Sequence, residues 1–260
     1  TTEIYTLSLH DALPILDRNQ TYRGNIMDFS KIQDMDMQVL SLFNGSDNIM
    51  LDQMVQILTS GLTWIPLYVM LFFVVMRNNE TMGQIALVVG SAIFCVLFAD
   101  GLVDGIIKQL AERWRPSNDP TFKYMVQVVD DIRLKGYSFC SAHAANTMSL
   151  AVFFSLLIRS KMLTITLVIW SLINCWTRLY LGVHYPSDIL CGMIIGIIVG
   201  ILVYLLYYKI YLRISPKINY ISNQYTSTGY DHDDIDKAMV ILMLTLVYVV
   251  TRSVVMAGFV

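Results

Sequence analysis

Long apolar stretches recur along this chain of 260 residues and restrict its possible folds more than any other feature. Several of them approach or exceed the roughly 18 to 20 residues that an α-helix needs to cross a bilayer. Hydrophobic residues make up 55% of the sequence and charged residues only 15%, more apolar surface than a soluble core of this size could bury. We therefore expect an all-α integral membrane bundle of about six transmembrane helices, at approximately 53–76, 82–107, 142–158, 162–180, 187–209 and 238–259.

The residues before the first predicted span differ in character from the rest. Residues 1–15 resemble the in-frame translation of a sequencing-library adapter and lack the basic start of a signal peptide, so we exclude them and take Met27 as a candidate start. Residues 16–52 then form an N-terminal extension, and 53–260 the membrane domain. The extension predicts an amphipathic helix at the membrane interface, with apolar positions at Ile32, Met35, Val39, Leu42 and Phe43.

Charge and cysteine content exclude several classes of partner. The net charge is −2 and no basic tract is present, so nucleic acid is not an expected partner. The four cysteines lack zinc or redox spacing and are interpreted as packing residues, and we expect no metal or other cofactor. The polar segment 210–237, with its acidic run at 231–234, predicts a solvated connector in preference to a cation site.

The first polar cluster ends the second predicted span. Lys108 and Arg115 are seven residues apart, so on a continuous helix they would share a face, and Pro116 would end that helix. Two converging cations suit a phosphate, and an arginine can bind two of its oxygens at once. A snorkelling interfacial pair is the alternative explanation for this motif taken alone.

The second cluster precedes the third predicted span. Ser141 is a good N-cap, so the backbone N–H groups from Ala142 onward are free to bind an anion. His143 in the first turn could donate a proton to a leaving oxygen. A lone histidine at such a position is more often structural.

The third cluster comprises Arg178, His184 and Asp188. With Pro186 at the start of a helix, Asp188 occupies about the third helical position and reaches back toward His184. A carboxylate bonded to one ring nitrogen fixes the tautomer and leaves the other nitrogen as a nucleophile. A capping interaction is the alternative, but the three clusters together, all at span ends on one face, favour a phosphate-handling site.

These motifs resemble those of the type 2 phosphatidic acid phosphatase superfamily, which includes bacterial lipid phosphatases and vanadium haloperoxidases. The family pattern is K-x6-R-P, then P-S-G-H, then S-R-x5-H-x3-D, and the resemblance covers roughly residues 50–210. The first motif matches in full. The second and third carry substitutions at Cys140, Ala142 and Thr177, where the family has Pro, Gly and Ser.

The resemblance implies a metal-independent reaction through a phosphohistidine. His184 would attack phosphorus, Asp188 would orient it, and His143 would protonate the leaving lipid oxygen. The phosphoryl oxygens would be held by Lys108, Arg115, Ser141, the Ala142 amide and Arg178.

Two further acidic residues lie one and two helical turns before Lys108. Asp100 and Asp104 could orient Lys108 or Arg178, or could form a buried polar contact between helices. Both interpretations are open at this point.

The expected substrate is a membrane lipid phosphate or diphosphate, for example undecaprenyl diphosphate, phosphatidylglycerol phosphate or lipid A. The alternatives are a lipid phosphotransferase on the same fold, a haloperoxidase, a transporter, or an inactive lipid-phosphate-binding homologue. Basic residues in alternate connections predict an inner-membrane protein whose site faces the periplasm. The sequence does not indicate an oligomeric state.

Overall fold

The structure, a computed structural model, describes residues 29–214 and 224–258, so the expectations for 1–15 and for a start at Met27 lie outside the described residues. The described ranges contain helices and one isolated β-bridge, between Tyr225 and Asp231. The helices are α1 (Ser30–Ser41), α2 (Ile49–Thr59), α3 (Ile65–Arg77), α4 (Met82–Ala111), α5 (Ala142–Ile158), α6 (Lys161–Tyr180), α7 (Pro186–Ile214) and α8 (His232–Ala257).

Within these ranges the helices have the lengths and apolarity of a membrane bundle, which confirms the predicted fold class. Four of them (α4, α6, α7 and α8) are long and apolar enough to cross a bilayer, and α2 with α3 adds a fifth if the bent pair is one span. The remaining predicted span, α5, is apolar but has only 17 residues and is largely buried among α4, α6 and α7. The predicted count of six therefore stays a prediction.

The first predicted span is broken rather than continuous. Helices α2 and α3 meet at an angle of 68°. Ser60 is extended (φ −75°, ψ 127°), a 3-10 turn follows at Gly61–Trp64, and Pro66 lies in the first turn of α3. Proline has no N–H to continue a preceding helix, which suits it to the start of α3. The break brings Thr59 next to the end of α6.

Helices α5 and α7 pack closely through three glycines of α7. A Cβ added at Gly192, Gly196 or Gly200 would lie 2.5 to 2.7 Å from a backbone oxygen of α5 or its N-cap. Small residues at this spacing let helix backbones approach in membrane proteins. The same contact includes a hydrogen bond from Ser141 N to the Asp188 backbone oxygen, 3.0 Å long. The packing thus joins two of the sequence clusters.

Helix α1 forms as predicted, and its two sides differ. One side buries Asp36, Met37 and Leu40 against the loop 112–141 and the start of α7. The predicted apolar stripe is on the other side and is exposed, at Ile32, Met35, Val39, Leu42 and Phe43.

The connector 210–237 was predicted wrongly in its described part. Helix α7 continues to Ile214 and α8 begins at His232, with Asp231 as its N-cap, so the acidic run starts a helix. Asp234 is buried and binds Lys237 Nζ at 2.8 Å and Arg77 Nε at 3.8 Å. These cations and the start of the helix account for the acidic residues.

Candidate active site

The three sequence clusters meet at one end of the bundle, but not by the predicted helical route. Helix α4 ends at Ala111, because Glu112 adopts a left-handed conformation (φ 46°), and Arg115 is extended (φ −73°, ψ 149°). A residue before proline disfavours the helical region, which explains the extended Arg115. Lys108 and Arg115 therefore do not share a helix face, and the loop carries Arg115 to the site separately.

Arg115 lies directly against the candidate nucleophile. Its guanidinium is buried, with Nη1 donating to the Val183 carbonyl at 3.1 Å and lying 3.3 Å from His184 Nε2. Its Nε is buried and has no hydrogen-bond partner. A buried donor without an acceptor is costly, so this N–H is suited to a ligand oxygen.

Arg178 and Lys108 add two more cations at span ends. Arg178, in the last turn of α6, donates from Nη2 to the Thr59 carbonyl at 3.3 Å, and its Nε is also buried without a partner. Lys108 Nζ binds Asp104 at 2.7 Å, while its side chain is only 11% exposed. Arg115 and Arg178 therefore each offer a buried N–H donor with no protein acceptor, as does the neighbouring Arg113 through its Nε, and such donors suit a phosphate.

The start of α5 forms the third side of the site. Ser141 caps the helix by accepting from Ala144 N at 3.4 Å, which leaves its own hydroxyl hydrogen free to donate. Ala142 is the first helical residue, so its N–H has no intrahelical partner. His143 follows in the first turn and is exposed, in contrast to the buried His184.

His184 and Asp188 lie next to each other as predicted, but beyond hydrogen-bond distance, and Ser138 Oγ lies 3.5 Å from His184 Nδ1. His184 Nδ1 lies 3.6 Å from Asp188 Oδ2, and Nε2 points to the opposite side, toward Arg115. Burial, together with the positive charges of Arg115 and Lys108, lowers the pKa of His184 to about 4, although Asp188 opposes this. The ring is therefore neutral at pH 7, as a nucleophile must be.

The sequence analysis missed three residues that contact this pair. Ser138 Oγ donates to Asp188 Oδ2, and Arg113 Nη1 donates to Asp188 Oδ1 at 2.7 Å. Asp36 on α1 binds the other side of Arg113, with 2.5 Å between Oδ2 and Nη2. Arg113 is one of the six variable residues of K-x6-R-P, so only its charge could have indicated a role in the site. No sequence signal linked Asp36 to the site.

Asp100 and Asp104 of α4 each match a different one of the two predicted roles. Asp104 binds Lys108, which agrees with an orienting role. Asp100 accepts from Asn146 Nδ2 of α5 at 2.6 Å, which is a polar contact between helices. Among the described residues, no group of three or more His, Cys, Asp or Glu side chains could hold a metal ion.

The chain is similar in sequence to known proteins. The PAP2 superfamily profile matches residues 86–212. A lipid A 4'-phosphatase of Bacteroides thetaiotaomicron is 35% identical over 165 residues, which cover 63% of this chain and 73% of that protein. A second lipid A 4'-phosphatase, from Porphyromonas gingivalis, is 32% identical over 166 residues, covering 63% and 69%.

A solved structure shares the fold. The crystal structure of a PAP2-type phosphatidylglycerolphosphate phosphatase from Bacillus subtilis superposes with a TM-score of 0.50 at 19% identity. The match covers 73% of this chain and 90% of that one. From its sequence relatives and its helical fold, the chain belongs to the PAP2 superfamily and is a membrane lipid phosphatase.

Proposed function

We propose that this phosphatase removes the 4'-phosphate of lipid A, a phosphate monoester on a glycolipid. The main support is the pair of buried arginine N–H donors without a protein acceptor, Arg115 Nε and Arg178 Nε, because Arg115 also lies against His184 Nε2. The two relatives that match over about 165 residues are both named for lipid A 4'-phosphate, whereas a phosphatidylglycerophosphatase B of Haemophilus influenzae is 37% identical over only 68 residues. None of these is named for an isoprenoid diphosphate, so undecaprenyl diphosphate becomes the weaker candidate.

The position of the site suits a substrate anchored in the bilayer. Lys108 and Arg178 belong to the last turns of α4 and α6, and Asp188 belongs to the first turn of α7. A phosphate at these helix ends would sit at the membrane surface while its acyl chains remained in lipid. Transporters, in contrast, place binding groups near the middle of the span.

In the proposed mechanism, His184 acts first. Its Nδ1–H faces Asp188, so Nε2 carries the lone pair that attacks phosphorus. The bond between phosphorus and the sugar oxygen breaks, and His143 donates a proton to that oxygen; the negative charge of the bound phosphate keeps this ring protonated beside the cations Arg178 and Lys108. Arg115, Arg178, Lys108, Ser141 and the Ala142 N–H stabilise the charge on the three remaining phosphoryl oxygens.

Hydrolysis of the phosphohistidine completes the cycle. Water attacks phosphorus while His143, now neutral, takes up one of its protons. The bond from phosphorus to Nε2 breaks, inorganic phosphate leaves, and both histidines return to their starting protonation states. A phosphotransferase would use a lipid hydroxyl in place of this water.

We also propose that the site faces the periplasm and that α1 lies in the interface of the inner membrane. The exposed stripe of α1 is apolar over its whole length, as an interfacial helix requires. The basic residues Arg159, Lys161 and Arg213 are at the opposite end of the bundle from His184, which suits a cytoplasmic face there.

The substrate proposal predicts which phosphate is released. Purified protein given bis-phosphorylated lipid A should release one phosphate, and mass spectrometry should place the remaining phosphate at position 1. Phosphatidylglycerol phosphate and undecaprenyl diphosphate should turn over at least about tenfold more slowly, because a tenfold ratio needs a difference of only about 1.4 kcal/mol in transition-state binding. Faster turnover of either lipid, or transfer of the phosphate to another lipid, would contradict the proposal.

The orientation predicts the accessibility of single cysteines. In a variant without the four native cysteines, Tyr124→Cys should react with a membrane-impermeant maleimide in cells whose outer membrane is permeabilised, because Tyr124 is 87% exposed in the loop over the site. Lys161→Cys, at the opposite end, is the matched control and should react only after the inner membrane is broken. The reverse pattern would show that the site faces the cytoplasm.

The two histidines should respond differently to the leaving group. His143→Ala should lose about 10²- to 10⁴-fold in turnover of an alkyl phosphate, the usual contribution of a general acid. It should recover most of that loss on an aryl phosphate, whose leaving group needs no proton. His184→Ala should be inactive on both. Recovery of His184→Ala, and not of His143→Ala, would reverse the assigned roles.

A further inference from the structure

Arg113 occupies a buried position between two carboxylates at the back of the candidate active site. Its side chain is 4% exposed, and it binds Asp188 Oδ1 at 2.7 Å through Nη1 and Asp36 Oδ2 at 2.5 Å through Nη2. Both carboxylates are themselves buried, at 0% and 7% exposure of their side chains. The Nε of the arginine is buried without a hydrogen-bond partner, and the roles proposed above do not include Arg113.

The contact fixes the orientation of the Asp188 carboxylate. Arg113 takes Oδ1, so Oδ2 is left to accept from Ser138 Oγ and from Tyr185 N at 2.9 Å, and to face His184 Nδ1. Because each oxygen has its own partners, the Asp188 carboxylate cannot rotate without losing its bond to the buried Arg113. The orientation of the imidazole depends on this arrangement, because Asp188 is its carboxylate partner.

The charges of the cluster also suit the reaction. Two carboxylates and one guanidinium carry a net charge of −1 while His184 is neutral. Attack on phosphorus places positive charge on the imidazole, and the cluster then becomes neutral overall. Without Arg113 the two buried carboxylates would have no compensating cation in contact, which is strongly unfavourable for buried charges.

Two aromatic rings also contact the Arg113 guanidinium. Its central carbon lies 3.9 Å from the centroid of the Tyr185 ring and 4.6 Å from that of Phe29. Only a planar, forked group can stack in this way while binding two carboxylates. Asp36 additionally accepts from Ser187 N at 3.0 Å and from Ser187 Oγ at 2.5 Å, so α1 is tied to the first turn of α7.

A second contact ties α1 to the same place. Gln33 Nε2 donates to Asp119 Oδ2 at 2.9 Å, and the same carboxylate oxygen accepts from the Tyr185 hydroxyl at 3.3 Å. The ring beneath Arg113 is thus bound at its hydroxyl end to α1 through Asp119. Helix α1 therefore contacts the site through both Asp36 and Gln33.

We propose that Arg113 and Asp36 are positioning residues that set the orientation of Asp188, and through it of His184, so that α1 is part of the active-site scaffold. This inference rests on the proposed role of His184 as nucleophile, and it does not depend on which lipid is the substrate.

The test compares variants of the full chain in detergent, with an aryl phosphate as substrate. Arg113→Gln should lower kcat about 10²-fold, less than the roughly 10⁴-fold lost when the aspartate of a triad is replaced, and should leave KM within about twofold. Arg113→Lys keeps the charge but not the fork, so its kcat should lie between those of Arg113→Gln and the wild type. Asp36→Asn should lower kcat about tenfold. Single-turnover formation of the phosphoenzyme should slow by the same factors.

Asp234→Asn is the matched control, since Asp234 is a buried, ion-paired carboxylate at the opposite end of the bundle. It should lower the thermal unfolding temperature and leave kcat unchanged. If Arg113→Gln does not fold, Arg113→Lys and Asp36→Asn carry the test, and both must have a reduced kcat. An unchanged kcat in folded variants, a loss confined to KM, or an equal loss in Asp234→Asn would overturn the inference. Absence of a phosphoenzyme in the wild type would instead reject the proposed mechanism.

Discussion

The buried carboxylate of Asp188 is the contact on which the rest of the site depends. It is fully buried, accepts hydrogen bonds from Ser138 and the Tyr185 amide, binds Arg113, and faces His184. A buried anion is stable only if its oxygens are bonded and its charge is compensated. Each of these partners comes from the loop 112–141 or from the α6–α7 corner, so the carboxylate also holds those segments together.

The glycines of α7 and the Asp188 carboxylate both fix the segments that surround the active site. Close packing of α5 on α7 joins Ser141 to the backbone of Asp188, and the side chain of Asp188 binds the loop that carries Arg113 and Ser138. The start of α5, the corner after α6 and the loop after α4 are therefore fixed relative to one another. An arrangement of this kind can hold the hydrogen-bond donors for the phosphate in place before substrate binds. Such preorganisation is the basis of electrostatic catalysis.

Much of the fold and the family motifs could be predicted from the sequence, because apolar length and fixed motif spacing are local signals. The pairing of His184 with Asp188 followed from helix-capping geometry. The route of Arg115 did not, since the left-handed Glu112 and the residue before proline interrupted the expected helix. Asp36 was missed because its partner is 77 residues away and no local pattern connects them. The described part of the connector was mispredicted for a similar reason, as Asp234 is buried by tertiary contacts.

The central claim is that His184, held by Asp188, forms a covalent bond to phosphorus. The most direct measurement is mass spectrometry of protein quenched with alkali during turnover, because phosphohistidine is labile in acid. The account predicts a phosphate on the peptide that contains His184, formed and lost at rates compatible with kcat, and absent from His184→Ala. Phosphate on a serine of the site, or full turnover with inversion of configuration at phosphorus and no modified peptide, would contradict it.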